Sequence, residues 1–339
     1  MSPIYVPGKV VFDNGQAPAA IAGVAPTLDY RFARDKREIE TISLTDKLTF
    51  TGGNQGTFVG SDGFVQQATT NAPRFDHNPT TRESLGLLVE EARTNSFLYS
   101  QEIDVGNWRK FNITATANSG LAPDGTTTAE LITTASTTAL KYFDPNSQPV
   151  LQTSSDYCVS FFVKLISGTG LGANASINSA NGTISPAYAS YFLRLDNFAE
   201  STGGNLPSGR GYTIFPNGWV RMHMVFNTST QTNASIDFRF GTNNTVSSFH
   251  VWGLQIEKGS FPTSYIPTTT ATVTRAADVA SINGTGVITG TYTMVEKPAG
   301  CAVVSGSNIN LQTGFTTQRV MVFPAALSAG QITSIRSAM

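Results

Sequence analysis

Between residues 96 and 275, apolar and polar side chains alternate in one run after another. This period-2 pattern marks strands with one buried and one wet face. In Tyr157–Leu165 the residues Tyr157, Val159, Phe161 and Val163 share a face, and in 188–195 Tyr191, Leu193 and Leu195 do. Val220, Met222, Met224 and Phe226 oppose Arg221 and His223, while Ile236, Phe238 and Phe240 alternate with Asp237 and Arg239. The run Phe249–Ile256 is expected to align Trp252, Leu254 and Ile256. Shorter strands are expected at 129–132 and 140–143. Strands of this kind joined by Gly, Asn and Pro turns predict an all-β fold: an antiparallel jelly-roll or concanavalin-like β-sandwich over 96–275.

The flanks differ from this centre. Residues 1–43 are broken by Pro3, Pro7, Pro18 and Pro26 and form an extended N-terminal arm, either ordered against a partner or a loose terminus. Residues 44–95 read as a connecting segment with short strands, among them Leu48–Phe50, Thr57–Val59 and Leu87–Val89. Residues 276–339 form a small β-rich C-terminal region, with strands near Thr291–Val295 and Arg319–Phe323. It ends in a helix capped by Ser328, with Ile332 and Ile335 on one side. About 60 residues make a thin independent core, so this tail should pack on the sandwich or on a neighbouring subunit.

Composition narrows the function classes. Charged residues are 13% of the 339, against roughly 25% in average domains. With a net charge of −1 and no dense basic block, nucleic acid is excluded as an expected partner. No run of about 18 apolar residues is present, so no membrane insertion is expected, and Met1–Pro7 has no signal-peptide pattern. The two cysteines, Cys158 and Cys301, define no disulfide framework.

Catalytic chemistry finds little footing. His77, His223 and His250 lack metal-ligand spacing, and no nucleophile elbow, P-loop or dinucleotide fingerprint occurs. Glu90 and Glu91 are adjacent, so on a strand they point to opposite faces and cannot flank one glycosidic bond. No enzyme, cofactor or metal is expected; Asp237, Glu257 and Asp278 are oxygen donors whose spacing does not require calcium. Glycan binding needs aromatic faces beside amides and carboxylates. Trp219 and Trp252 lie in strand patterns and read as core. Trp108, in a loop-like setting after Gly106-Asn107, is the candidate carbohydrate-binding residue, and the Asn-rich stretches 174–181 and 242–245 read as loop tips.

One stretch has a family look. Thr49-Phe-Thr, Gly56-Thr-Phe-Val, Asp62-Gly, Pro73-Arg-Phe-Asp-His77 and Gly86-Leu-Leu-Val-Glu-Glu-Ala-Arg-Thr-Asn95 resemble a segment recurring in phage and prophage structural proteins of the tail or head fibre type. Asn107-Trp108, Asn217-Gly-Trp-Val-Arg221, Val251–Glu257, Thr263-Ser-Tyr-Ile-Pro267 and Thr274-Arg-Ala-Ala-Asp278 are similar to the carbohydrate-binding-module-like jelly roll that follows it. The resemblance covers roughly 44–278 and brings no catalytic residues. It implies a virion structural protein that is a homo-oligomer, as a trimer, bound to other virion proteins through its arm and to a host surface glycan through its sandwich. The alternatives it leaves are a glycan-binding adhesion module, a purely structural adaptor or decoration, and a glycan-degrading tailspike.

Overall fold

The computed structural model describes residues 28–31, 48–180, 188–200, 207, 209–230, 235–283, 291–297, 301–305, 308–311, 315–323 and 327–338. Its centre is the expected sandwich, built from Trp108–Phe111 (β1), Ile113–Gly120 (β2), Ala129–Thr134 (β3), Tyr142–Pro145 (β4), Asp156–Ser167 (β5), Asn174–Ala180 (β6), Tyr188–Arg194 (β7), Arg210–Ile214 (β8), Val220–Asn227 (β9), Ser235–Phe240 (β10) and Ser248–Lys258 (β11). One sheet has the order β8-β9-β5-β11-β3-β2 and the other β7-β6-β10-β4-β1, with antiparallel pairing throughout. Between them lies one apolar core that takes Val159, Phe161 and Val163 from β5, Met222 and Met224 from β9, and Phe238 and Phe240 from β10. These are the positions that alternation assigns to the inside.

Two local expectations change. The 174–181 stretch is not a loop tip: Asn174–Ala180 is the interior strand β6, paired on both sides. Trp252 does not share a face with Leu254 and Ile256. A bulge in β11 opposite β5, where Ser160 pairs with Gln255 and Phe162 with Trp252, inserts Gly253 at φ +61°. The inserted residue reverses the alternation. Leu254 and Ile256 stay in the core, and Trp252 turns to the outer side.

On that outer side a second apolar cluster forms from Phe162, Trp252, Trp219, Phe215 and Tyr265, and Val65 of the preceding segment packs into it. Residues 48–95 are therefore a third layer lying on the six-stranded sheet. That layer is completed by the C-terminal region. Val279–Asn283 pairs with Leu48–Thr51, Phe315–Thr317 with Ser84–Val89, and Val273–Arg275 with Arg93–Asn95. Of the expected arm, Leu28–Arg31 is a strand on Arg319–Phe323; the rest of 1–43 lies outside the described residues. Those four described residues are an in-chain sheet strand.

The terminal helix Ala329–Ala338 starts as expected. Ser328 Oγ accepts the Gln331 N–H, and the Gln331 side chain accepts from the Ser328 N–H in return. This reciprocal cap satisfies two otherwise orphaned donors. Cys158 is buried as a free thiol, while the side chain of Cys301 lies outside the described residues.

Candidate functional site

The outer face of the five-stranded sheet carries the side chains that alternate with the core residues. Register aligns them into rows that run across the strands. Phe192 of β7 opposes Ser176 of β6, Ser176 opposes Arg239 of β10, Arg239 opposes Tyr142 of β4, and Tyr142 opposes Phe111 of β1. At strand spacings near 4.8 Å this row spans roughly 19 Å. A neighbouring row holds Ser190, Asn178 and Asp237, and beside it the pair Asp144–Arg109.

Contacts among these groups fix their directions. Phe111 and Tyr142 stack at 4.5 Å with their planes 17° apart, and Phe111 stays 41% exposed. Arg239 grips Asp237 through two hydrogen bonds at 2.7 and 2.9 Å, and Arg109 grips Asp144 likewise. Ser190 Oγ donates to Asn178, whose amide donates to Ser176 Oγ. Burial raises the Asp237 carboxyl above its ordinary range, against the pull of Arg239. Ser176, Asn178 and Ser190 are fully buried and Asp144 and Asp237 nearly so, which leaves Phe111, Tyr142, Arg239 and Arg109 among the accessible groups, an aromatic edge beside two guanidinium groups held by bidentate pairs.

Trp108 is not part of this surface. It faces inward, 2% exposed, edge-on to Phe143 and Phe238, with its indole N–H donated to the Tyr99 carbonyl at 3.2 Å. The residue next to it, Arg109, and Phe111 beyond take the outer side. Sequence reasoning placed Trp108 in a loop-like setting after Gly106-Asn107, whereas it opens strand β1, where alternation turns its neighbours outward. Trp219 and Trp252 are core residues as expected.

Across the sandwich, the third layer is joined to the six-stranded sheet by a buried charge network. Arg74 donates to Glu90 at 2.7 Å, to the Thr57 carbonyl at 2.8 Å and to Asp278. Arg275 reaches the same Glu90 oxygen at 2.9 Å and donates to Ser264 Oγ. Asp278 also accepts the N–H groups of Gly53 and Glu90. Glu257 of β11 accepts from Gln255 and from both the N–H and the hydroxyl of Thr263. Asn95 uses all four of its hydrogen-bonding positions: its amide donates to the Leu254 and Ile266 carbonyls, and its oxygen accepts from Phe97 and Ile256. Glu91, by contrast, is exposed and pairs locally with Arg93.

Beside this network is a cavity of about 210 Å³ between the third layer and the sheet. Phe58, Phe162, Phe215 and Tyr265 line it with Asp76, Glu90 and Arg221. Burial pushes the Asp76 carboxyl up to about 7, although one oxygen accepts the Val59 N–H at 2.7 Å. Burial alone would also raise Glu90, but Arg275 and Arg74 hold it below its ordinary range. Two carboxylates thus share one cavity, a pairing invisible in the adjacent Glu90-Glu91. His77 and His250 sit elsewhere, the first on the Val59 carbonyl and the second stacked over Trp219. Among the described residues no group of His, Cys, Asp and Glu is arranged to hold a metal; Asp237, Glu257 and Asp278 each have separate partners.

No protein-family model matches the chain, and no curated protein does. Among solved structures it is similar to the CBM22-1 xylan-binding domain of Paenibacillus barcinonensis Xyn10C. That match has 11% identity and a TM-score of 0.31, over 50% of this chain and 94% of the other. The CBM22-1-GH10 modules of Clostridium thermocellum Xyn10B match at 14% identity and TM-score 0.29, over 53% of this chain and 30% of theirs. An exo-beta-agarase matches at 12% identity and TM-score 0.31, over 50% and 26%. The chain spans under a third of these last two proteins. None of these likenesses carries a residue's role over to this chain.

Proposed function

We propose that the chain is a non-enzymatic glycan-binding module displayed on a phage virion, as a tail fibre, spike or head decoration that contributes to host attachment. The observation that carries the glycan half is the registered row Phe192–Ser176–Arg239–Tyr142–Phe111. An aromatic edge beside guanidinium groups that buried carboxylates hold in place offers ring faces and hydrogen-bond donors, the chemistry that sugar rings and hydroxyls require. A length near 19 Å suits an oligosaccharide better than a single sugar. The virion half rests on the resemblance of residues 44–278 to phage structural proteins, with a homotrimer as the proposed assembly.

The non-enzymatic half rests on occupancy. Of the cavity's two carboxylates, Glu90 is the one held below its ordinary range, and its oxygens accept from Arg74, Arg275 and both Ser264 donors. A nucleophile or base needs a lone pair free for substrate or water, and here four donors compete for it.

The test is a titration of the full chain with host lipopolysaccharide and capsule preparations, read by calorimetry. The double variant Phe111→Ala/Tyr142→Ala should lose at least roughly tenfold in affinity, as truncation of aromatic anchors does, with its melting curve near that of the parent. Silence of the parent across these preparations overturns the glycan half and leaves a structural adaptor.

A further inference from the structure

We propose that the cavity beneath the third layer is a second binding site, separate from the sheet face, which takes a monosaccharide-sized sugar acid and pairs its carboxylate with Arg221. Close-packed interiors leave few voids larger than one water. At about 210 Å³ this one has room for about seven waters at roughly 30 Å³ each. It falls short of the roughly 300 Å³ at which drug-sized pockets begin, so it holds a single ring, and because it is partly open a longer chain would seat only its terminal unit there.

Arg221 selects the ligand's charge. Its Nη2 donates to Ser160 Oγ at 3.0 Å, and its guanidinium carbon lies 5.4 Å from the centre of the Phe162 ring. Its Nε is buried without a partner, and none of the described ion pairs includes it. The charges it senses are Glu257 and Glu90, both saturated by other donors. A buried guanidinium without a counter-ion is costly, and an anionic ligand relieves that cost. Arg74 and Arg275, which reach Glu90 without lining the cavity, are already paired.

The remaining walls fit a sugar acid rather than a simple anion. Phe58, Phe215 and Tyr265 offer apolar and ring surface, and Asp76 offers a polar group at a half-buried position. A dianion such as phosphate would face Asp76 and Glu90 together. A monocarboxylate meets Asp76 best when that group is protonated and able to donate. The charged groups around Asp76 are Glu90, which raises it, and Arg74, which lowers it, with His77 next in sequence and Arg221 across the cavity. Affinity therefore falls as pH rises through about 7, by about tenfold between pH 6 and 8 for one linked proton.

The test titrates the full chain with glucuronate, with glucose as the neutral counterpart and with a uronate-terminated oligosaccharide, each at pH 6 and pH 8. Glucuronate should bind at least roughly tenfold tighter than glucose, a margin that Arg221→Gln removes. Asp76→Asn should abolish the pH dependence. Competition by the oligosaccharide identifies the ligand as a chain end; its absence identifies a free sugar acid. Equal binding of glucose and glucuronate, binding of neither, or an unchanged Arg221→Gln overturns the proposal. Should that variant fail to fold, the glucose comparison and Asp76→Asn decide. Phe111→Ala separates the two sites: loss of glucuronate binding in this variant puts the sugar on the sheet face and removes the cavity site, while the glycan function stands.

Discussion

Replacing Arg74 with Met should detach the third layer from the sandwich before the sandwich itself unfolds. Arg74 is 1% exposed and holds four groups: Thr57, Glu90, Ser264 and Asp278. Methionine preserves much of the volume but leaves two buried carboxylates short of a cation. Arg275 still serves Glu90, whereas Asp278 keeps only the N–H groups of Gly53 and Glu90. Breaking a buried pair from one side costs about 3–5 kcal/mol, because the uncompensated charge stays behind. At about 2 °C per kcal/mol for a chain of this size, the first transition should drop by at least ~6 °C. Calorimetry reads that shift, and amide exchange locates it. Protection should fall by roughly a hundredfold or more across 48–95 and 279–283, while β5, β9 and β11 exchange as before. Adding Asp278→Asn removes the charge most exposed to the loss, so the double variant should recover part of the stability. A melting point within about 1 °C of the parent, or exchange that quickens equally in the sandwich, would refute the network as the weld between layers.

Two further outcomes test separate links. Asp76 is raised from its ordinary 3.8 to about 7 by burial, so the folded state binds the extra proton between those values. Its contribution to stability is complete below about pH 4 and is lost as pH rises through 7. The stability difference between the parent and Asp76→Asn should therefore slope over that window and flatten above it; a difference independent of pH in urea titrations contradicts the assignment. Gly253→Ala tests the bulge. An added Cβ would take a left-handed conformation and meet Phe162 at 2.9 Å and Tyr265 at 3.5 Å, which should cost about 2 kcal/mol and lower the melting point by ~4 °C. A neutral effect would mean that the bulge can straighten, with Trp252 returning to the inner face.

The sandwich was legible because its signal is local. Alternation within β5, β9 and β10 assigns each side chain to a face without knowledge of any neighbour, and the core follows. The row on the outer face was half legible: each of Arg239, Tyr142 and Phe111 reads as outward on its own strand. Their alignment depends on the strand order β10-β4-β1, which periodicity does not encode. Trp252 was misplaced because one glycine reversed the pattern, and Gly253 inside a strand run is the available warning. The charge network was illegible as a set. Arg74 and Asp278 meet across 204 residues, and Glu90 and Ser264 across 174. A sign of it was present all the same. In a chain with 13% charged residues, Arg74 stands between Pro73 and Phe75 and Glu90 directly follows Leu87-Leu-Val89. Charges in such apolar company are rarely left without partners.

The two outer faces of the sandwich differ in chemistry, and that difference accounts for what lies on each. Phe162, Trp252 and Trp219 make the six-stranded face apolar, so it needs a cover, and segments from both ends of the chain supply one. Ser176, Asn178, Ser190, Asp237 and Arg239 make the five-stranded face polar, and its groups satisfy one another in register. Ser176, Asn178 and Ser190 are fully buried there, so its accessible side chains include Arg239, Tyr142 and Phe111. Its side chains are already held by neighbours, so a ligand placed there would freeze few rotamers, and more of its contact energy would appear as affinity.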